Sequence, residues 1–118
     1  MFLTSNAIML SAYSFKWFVN NIKNIKRFKE QVESIYFQNI AVFGTTVNAA
    51  FVEEIMGDRV LYFLDENPSR IGRLFRVKNV LHPKEISENN HIILPYGKSG
   101  KKIRERIKKI CGGTFSVI

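Results

Sequence analysis

Three short stretches carry the residue types that hold small ligands. They are Gly44-Thr45-Thr46-Val47-Asn48, Asp65-Glu66-Asn67-Pro68 and Pro95-Tyr96-Gly97-Lys98. Each follows a run of apolar residues and stands before a helical or turn-forming segment. A glycine and two hydroxyls at the start of a helix suit a phosphate, because the first N–H groups of a helix lack internal partners. An acidic residue about 20 positions further on suits a ribose hydroxyl pair. Tyr96 offers a flat face and Lys98 a positive charge. The candidate ligand-binding set is therefore Gly44, Thr45, Thr46, Asn48, Asp65, Asn67, Pro95, Tyr96 and Lys98. Each member also has a plainer reading. The Gly44 loop serves equally as a strand-to-helix turn, and Asp65 or Asn67 as the cap of the next turn.

Bond-making chemistry has less to stand on. A dinucleotide fingerprint needs three glycines, for the turn, for approach to the pyrophosphate and for helix packing. Only Gly44 is present, with Asn48 and Ala49 in the later positions. Gly97-Lys98-Ser99 resembles the end of a phosphate loop, but the glycine needed five residues earlier is Ile92, inside an apolar run. His82 and His91 lie far apart, with no carboxylate or cysteine at ligand spacing, so no metal site is expected. Glu53 and Glu54 are expected on a solvated helix face, and Cys111 in packing. No residue is assigned a catalytic role.

The elements that must position these loops follow from apolar spacing. Phe15, Phe18, Val19, Ile22, Ile25, Val32, Ile35 and Tyr36 recur at steps of three and four, which predicts a long amphipathic helix over residues 12–37. Trp17 and Phe28 fall off that stripe and hint at a second apolar contact. Ile40–Phe43 and Val60–Leu64 are short continuous apolar runs, as expected of parallel strands covered on both faces. Between them, Thr45 to Met56 is predicted helical, with Val47, Ala50, Phe51, Glu54 and Ile55 at helical spacing. Val77–Leu81, His91–Leu94 and Thr114–Ile118 are predicted strands, and Ser99–Cys111 a helix with Ile103, Ile107 and Ile110 inward. The alternation implies a small α/β, Rossmann-like, three-layer domain of about five mostly parallel strands, preceded by the long helix. One domain is expected over residues 1–118. Residues 1–11 form a loose arm, 12–37 the leading helix and 40–118 the α/β core.

At 118 residues and 46% hydrophobic content, the chain can bury a substantial core. The net charge of +8 favours anionic partners, whether nucleotide, nucleic acid, acidic lipid or an acidic protein face. Lys101, Lys102, Arg104, Arg106, Lys108 and Lys109 make a basic helix, but no aromatic residues interleave with them as single-strand binding would want. Nucleic acid is thus the less favoured partner. A single cysteine fits a reducing, cytoplasmic setting. The opening residues lack the basic segment of a signal peptide, and no apolar run is long enough for a membrane span, so no membrane partner is expected.

The second half resembles the C-terminal domain of sugar-nucleotide C-methyltransferases. The resemblance rests on Val42-Phe43-Gly44, on Phe63-Leu64-Asp65-Glu66-Asn67-Pro68-Ser69-Arg70-Ile71-Gly72-Arg73, and on Val80-Leu81-His82-Pro83-Lys84-Glu85-Ile86. It continues through Ile92-Ile93-Leu94-Pro95-Tyr96 and ends at Gly112-Gly113-Thr114-Phe115. Order and spacing agree over residues 40–118. In that family the domain follows a zinc-binding segment and an S-adenosylmethionine domain, and helps frame a nucleotide-sugar pocket. What the resemblance implies is a substrate-framing domain that is not catalytic alone. It is either a fragment of a larger enzyme or a free-standing relative without the chemistry. S-adenosylmethionine would enter only through a partner domain, since zinc cysteines and a glycine-rich methyl-donor loop do not occur in this sequence. The rival expectations are a protein-interaction module docking through its basic helices and a non-specific nucleic-acid binder.

Overall fold

The computed structural model describes residues 11–86 and 90–118, with side chains from Val19 onward. The expected loose arm of residues 1–11 lies outside the described residues save Ser11, which opens the first helix. The described chain is an α/β domain with one six-stranded, mostly parallel sheet and three α-helices. In chain order these are α1 (Ser11–Glu33), β1 (Ile40–Phe43), α2 (Val47–Met56), β2 (Val60–Leu64), β3 (Leu74–Phe75), β4 (Lys78–Leu81), β5 (His91–Leu94), α3 (Gly100–Ile107) and β6 (Thr114–Val117). Single 3₁₀ turns cover Gly57–Arg59, Pro83–Glu85 and Gly97–Ser99. Among the described residues no helix is long and apolar enough to cross a membrane.

The sheet order is β3-β4-β2-β1-β5-β6, and every pairing is parallel except β3 with β4. As expected, Ile40–Phe43 and Val60–Leu64 are adjacent parallel strands. The sixth strand, β3, is an addition to the five expected. Leu74 and Phe75 turn back on Lys78 and Asn79 through a two-residue tip, Arg76-Val77, whose residues both have positive φ (51° and 57°). A two-residue hairpin in a right-twisted sheet wants this conformation, which asparagine and glycine normally supply. The arginine and valine here hide the turn from sequence inspection.

Two apolar layers sandwich the sheet. Ile40, Val42, Val60, Phe63, Val80 and Ile93 point to the layer shared with Val32 and Ile35 and with Ala49, Val52 and Met56 of α2. Ala41, Phe43, Leu64, Ile92 and Leu94 point to the other, where α3 contributes Ile107. Alternation along a strand explains the split on β1 and β5. On β2 the alternation breaks. Val60 pairs with Ile40 and Tyr62 with Ala41, leaving Leu61 as a surplus residue, half exposed. This bulge lets Val60 and Phe63, three apart, face the same layer.

Helix limits and inward faces differ from the sequence expectation in specific ways. The first helix stops at Glu33, not near residue 37, and Tyr36 is exposed. Among its described side chains Val32 is fully buried, whereas Ile22 and Ile25 are 48% and 52% exposed. Phe28 is half-buried and meets Phe51 of α2 edge to face, at 5.7 Å. The expected second contact of Trp17 lies outside the described side chains. On α2 the buried face is Ala49, Val52 and Met56, and Val47 is exposed. The last helix ends at Ile107, leaving Ile110 partly exposed beyond it. Gly100, at its start, lies so close to β6 that a Cβ there would meet Val117 Cγ1 at 2.5 Å.

Candidate functional site

The carboxyl ends of β1, β2 and β5 lie side by side, because β1 pairs with both neighbours in parallel. The three loops singled out in the sequence leave from these ends. The first turns at Gly44, whose φ of +96° suits glycine. A Cβ on Gly44 would collide with the phenol oxygen of Tyr96, so the β1 and β5 loops meet at van der Waals range. Thr46 then caps α2 by accepting from the Ala49 N–H at 3.3 Å. Asn48 donates to the Pro95 carbonyl at 3.4 Å, which ties the same two loops together from the other side.

Asp65 binds the second loop to the first. Its Oδ2 accepts from the Thr45 hydroxyl at 3.1 Å, and its Oδ1 accepts from the Asn67 N–H at 2.9 Å. Asn67 repeats the motif, its side-chain oxygen accepting from the Ser69 N–H and hydroxyl at 3.0 and 2.9 Å. Two successive side-chain-to-backbone turns thus carry the chain past Pro68. The guanidinium of Arg70 returns from this turn to the Thr45 hydroxyl and carbonyl. Burial and the nearby Asp65 charge push the Tyr96 phenol above its ordinary pKa, against the lowering influence of the Thr46 hydroxyl and the Arg70 charge. Tyr96 is accordingly a neutral phenol at physiological pH.

Two hollows flank this knot. One, of about 430 Å³, is lined by Thr46, Val47, Asn48, Pro95 and Tyr96. The other, of about 180 Å³, is lined by Thr45, Arg70, Arg73, Leu74, Phe75 and Val80. Eight of the nine expected site residues therefore belong to one connected cluster. Lys98 does not. It is exposed on the Gly97–Ser99 turn and lines neither hollow. Arg70 and Arg73 put positive charge at the strand ends instead. Sequence reading missed them. Their place in the turn that follows the β2 end carries no spacing signal, and that this turn reaches the first loop shows only in the structure.

The remaining candidates resolve into structural roles. Glu53 is not on a solvated face. Its side chain is 13% exposed and pairs with Arg76 and with Lys78, the latter at 3.1 Å. Glu54 is exposed and also meets Arg76. His82 caps the Pro83–Glu85 turn, accepting from the Lys84 N–H at 3.1 Å while Glu85 accepts from the His82 N–H at 2.7 Å. His91 is buried at the opposite edge of the sheet from the loops, with Nδ1 2.6 Å from the Thr114 hydroxyl and Nε2 2.7 Å from the Ser116 hydroxyl. Cys111 is buried against Ile107, and burial pushes its thiol pKa up, the opposite of what a nucleophile needs. Among the described residues no group of three His, Cys, Asp or Glu side chains is placed to hold a metal ion.

Comparison of the chain with protein-family models, with curated proteins and with solved structures finds no match.

Proposed function

We propose that the chain is a Rossmann-like domain that binds a nucleotide sugar, or frames one for a partner domain, at the crevice between the β1 and β5 ends. The observation that carries this reading is the convergence of the three loops beside the 430 Å³ hollow, at the point where the chain switches from one side of β1 to the other. Open parallel sheets take ligands at such switch points. The Tyr96 ring offers a stacking face, and the Thr45–Arg70 pair an anion contact. Gly44, Thr45, Thr46, Asn48, Asp65, Asn67, Pro95, Tyr96 and Lys98 remain the proposed ligand-binding set, to which Arg70 is added. The resemblance to sugar-nucleotide C-methyltransferases supports the same ligand class, and with it a role in sugar metabolism in the cytoplasm. Neither a catalytic residue nor a cofactor of its own is part of this reading. Methyl transfer needs S-adenosylmethionine bound by a partner methyltransferase domain.

An amide chemical-shift titration with a nucleoside-diphosphate sugar tests the proposal. Perturbations are expected at Gly44, Asp65 and Tyr96. Arg70→Ala should weaken binding by about 1–3 kcal/mol, the scale of a charge-assisted contact. Lys98→Ala should weaken it less, and Lys108→Ala, whose ammonium pairs with Glu105, should leave it unchanged. Perturbations confined to residues 101–109 would overturn the reading in favour of nucleic acid. Calorimetric binding of S-adenosylmethionine by the isolated chain would overturn the absence of its own methyl-donor site.

A further inference from the structure

The smaller hollow at the strand ends differs in chemistry from the larger one. Arg73 lines it, an exposed guanidinium with no ion-pair partner among the described residues. Its backbone is held in place. The Gly72 N–H donates to the Val80 carbonyl at 2.9 Å, and the Arg73 carbonyl accepts from the Val80 N–H at 3.0 Å. The walls are apolar. Val80 is buried, Phe75 meets Phe63 edge to face at 4.8 Å, and Leu74 stands at the rim, 66% exposed. The larger hollow has no cation among its described lining residues. It offers the Tyr96 ring and the polar groups of Thr46 and Asn48. The two hollows are neighbours across one peptide bond, since Thr45 lines the first and Thr46 the second. Pockets for whole ligands run to about 300–1,000 Å³. At about 180 Å³ the smaller hollow takes one end of a ligand.

We infer that the smaller hollow is a nucleobase subsite and that Arg73 is the residue that recognises the base. The inference rests on the nucleotide-sugar reading and gives that ligand a direction. A ligand that fills both hollows crosses the start of α2 between Thr45 and Thr46, where the Arg70 guanidinium meets the Thr45 hydroxyl. A diphosphate suits that crossing, with Arg70 as its cation. The two ends then sort by chemistry. A base is a flat π system with apolar faces. A guanidinium plane stacks on such a ring, and Leu74 and Phe75 cover surface that water would otherwise wet. A hexose carries hydroxyls around its ring and needs hydrogen-bonding groups, which Thr46 and Asn48 supply in the 430 Å³ hollow. The opposite direction would set those hydroxyls against Leu74 and Phe75 without partners, which is costly. Asp65, with Oδ2 on Thr45, stands on the ribose side of the crossing.

The test uses the whole chain with UDP-glucose and UDP, repeated with ADP-glucose and ADP so that the choice of base does not decide the outcome. Intermolecular nuclear Overhauser contacts should join base protons to the Leu74 methyls and hexose protons to the Tyr96 ring. By calorimetry, Arg73→Ala should weaken the nucleotide sugar and the free nucleotide alike, by about three- to tenfold. Arg73→Lys should weaken them nearly as much, because an ammonium keeps the charge but has no plane to stack. Both variants should keep the unfolding midpoint of the parent chain, since Arg73 is exposed. Base contacts at Tyr96 with hexose contacts at Leu74 would overturn the inference and leave the nucleotide-sugar reading standing. Unchanged affinity in Arg73→Ala would do the same. So would a loss in Arg73→Ala that Arg73→Lys fully restores, which would make Arg73 a charge for phosphate. Amide shifts that spare Gly44, Asp65 and Tyr96 with all four ligands would overturn both.

Discussion

Phe37 and His91 stack face to face, with ring centroids 3.8 Å apart and planes 3° from parallel. The pair joins the linker after α1 to the start of β5, and Arg59 fixes the same linker by donating to the Phe37 and Ile35 carbonyls. Both imidazole nitrogens are engaged by hydroxyls, so β5, β6 and the linker meet at one side chain.

Burial holds the His91 pKa below its ordinary value. The folded state thus favours the neutral ring. Stability should be at its plateau above the unfolded-state value of about 6.5 and should fall as pH drops through it toward the folded value. Urea unfolding at pH 7.5 and 5.5 measures this. His91→Leu should flatten the dependence in that window while costing about 1–3 kcal/mol, because the Thr114 and Ser116 hydroxyls lose their partner.

Gly44→Ala should destabilise the fold for two separable reasons. The backbone at φ +96° is strained for any side chain, at about 1–3 kcal/mol, and the new methyl runs into the Tyr96 phenol oxygen. Tyr96→Ala in the same background should recover the steric part and leave the backbone part. A double-mutant cycle in urea reads the two terms apart.

Glu53 couples α2 to the β3–β4 hairpin. Burial raises its pKa, but the hydrogen bonds and charges of Arg76 and Lys78 outweigh that and hold it below the usual carboxylate value. The stabilisation is present above the unfolded value and is lost as pH falls through the folded one. Glu53→Gln should lower the unfolding midpoint at pH 7 more than Glu54→Gln, whose carboxylate is exposed. The difference between the variants should vanish in strong acid.

Val77 is 88% exposed and sits at the hairpin tip with φ 57°, a conformation that a β-branched residue resists. Val77→Gly should raise stability by about 0.5–1 kcal/mol, the relief of left-handed strain less the extra flexibility of glycine. Thermal unfolding of the variant checks the sign.

The parallel core was legible because Ile40–Phe43, Val60–Leu64 and His91–Leu94 are continuous apolar runs, and burial on both faces leaves that trace. The strand-end loops followed from topology alone. Legibility failed where tertiary context overrides local pattern. Ile22 and Ile25 obey helical spacing yet are about half exposed, so periodicity overstated what α1 buries. Glu53 reads as a surface residue until Lys78 and Arg76 arrive from a hairpin more than 20 residues away. Leu61 adds a bulge that period-two counting cannot register. Arg70 escaped because an arginine in a turn has no spacing signature. Its role depends on how the Asp65 and Asn67 turns aim it back at Thr45.

The central place of β1 also favours one order of assembly over others. Residues up to Leu81 already contain four neighbouring strands and α2, so one wing of the sheet can close over short connections. The other wing waits for β5, which must travel from beyond β4, across β2, to the far flank of β1. Long-range pairing of this kind comes late, since loop closure opposes it until the contact forms. The Tyr96 side of the crevice exists only once that step is complete. Any molecule held there would recognise the finished chain and not the half-built one, and would draw refolding forward by binding its last product.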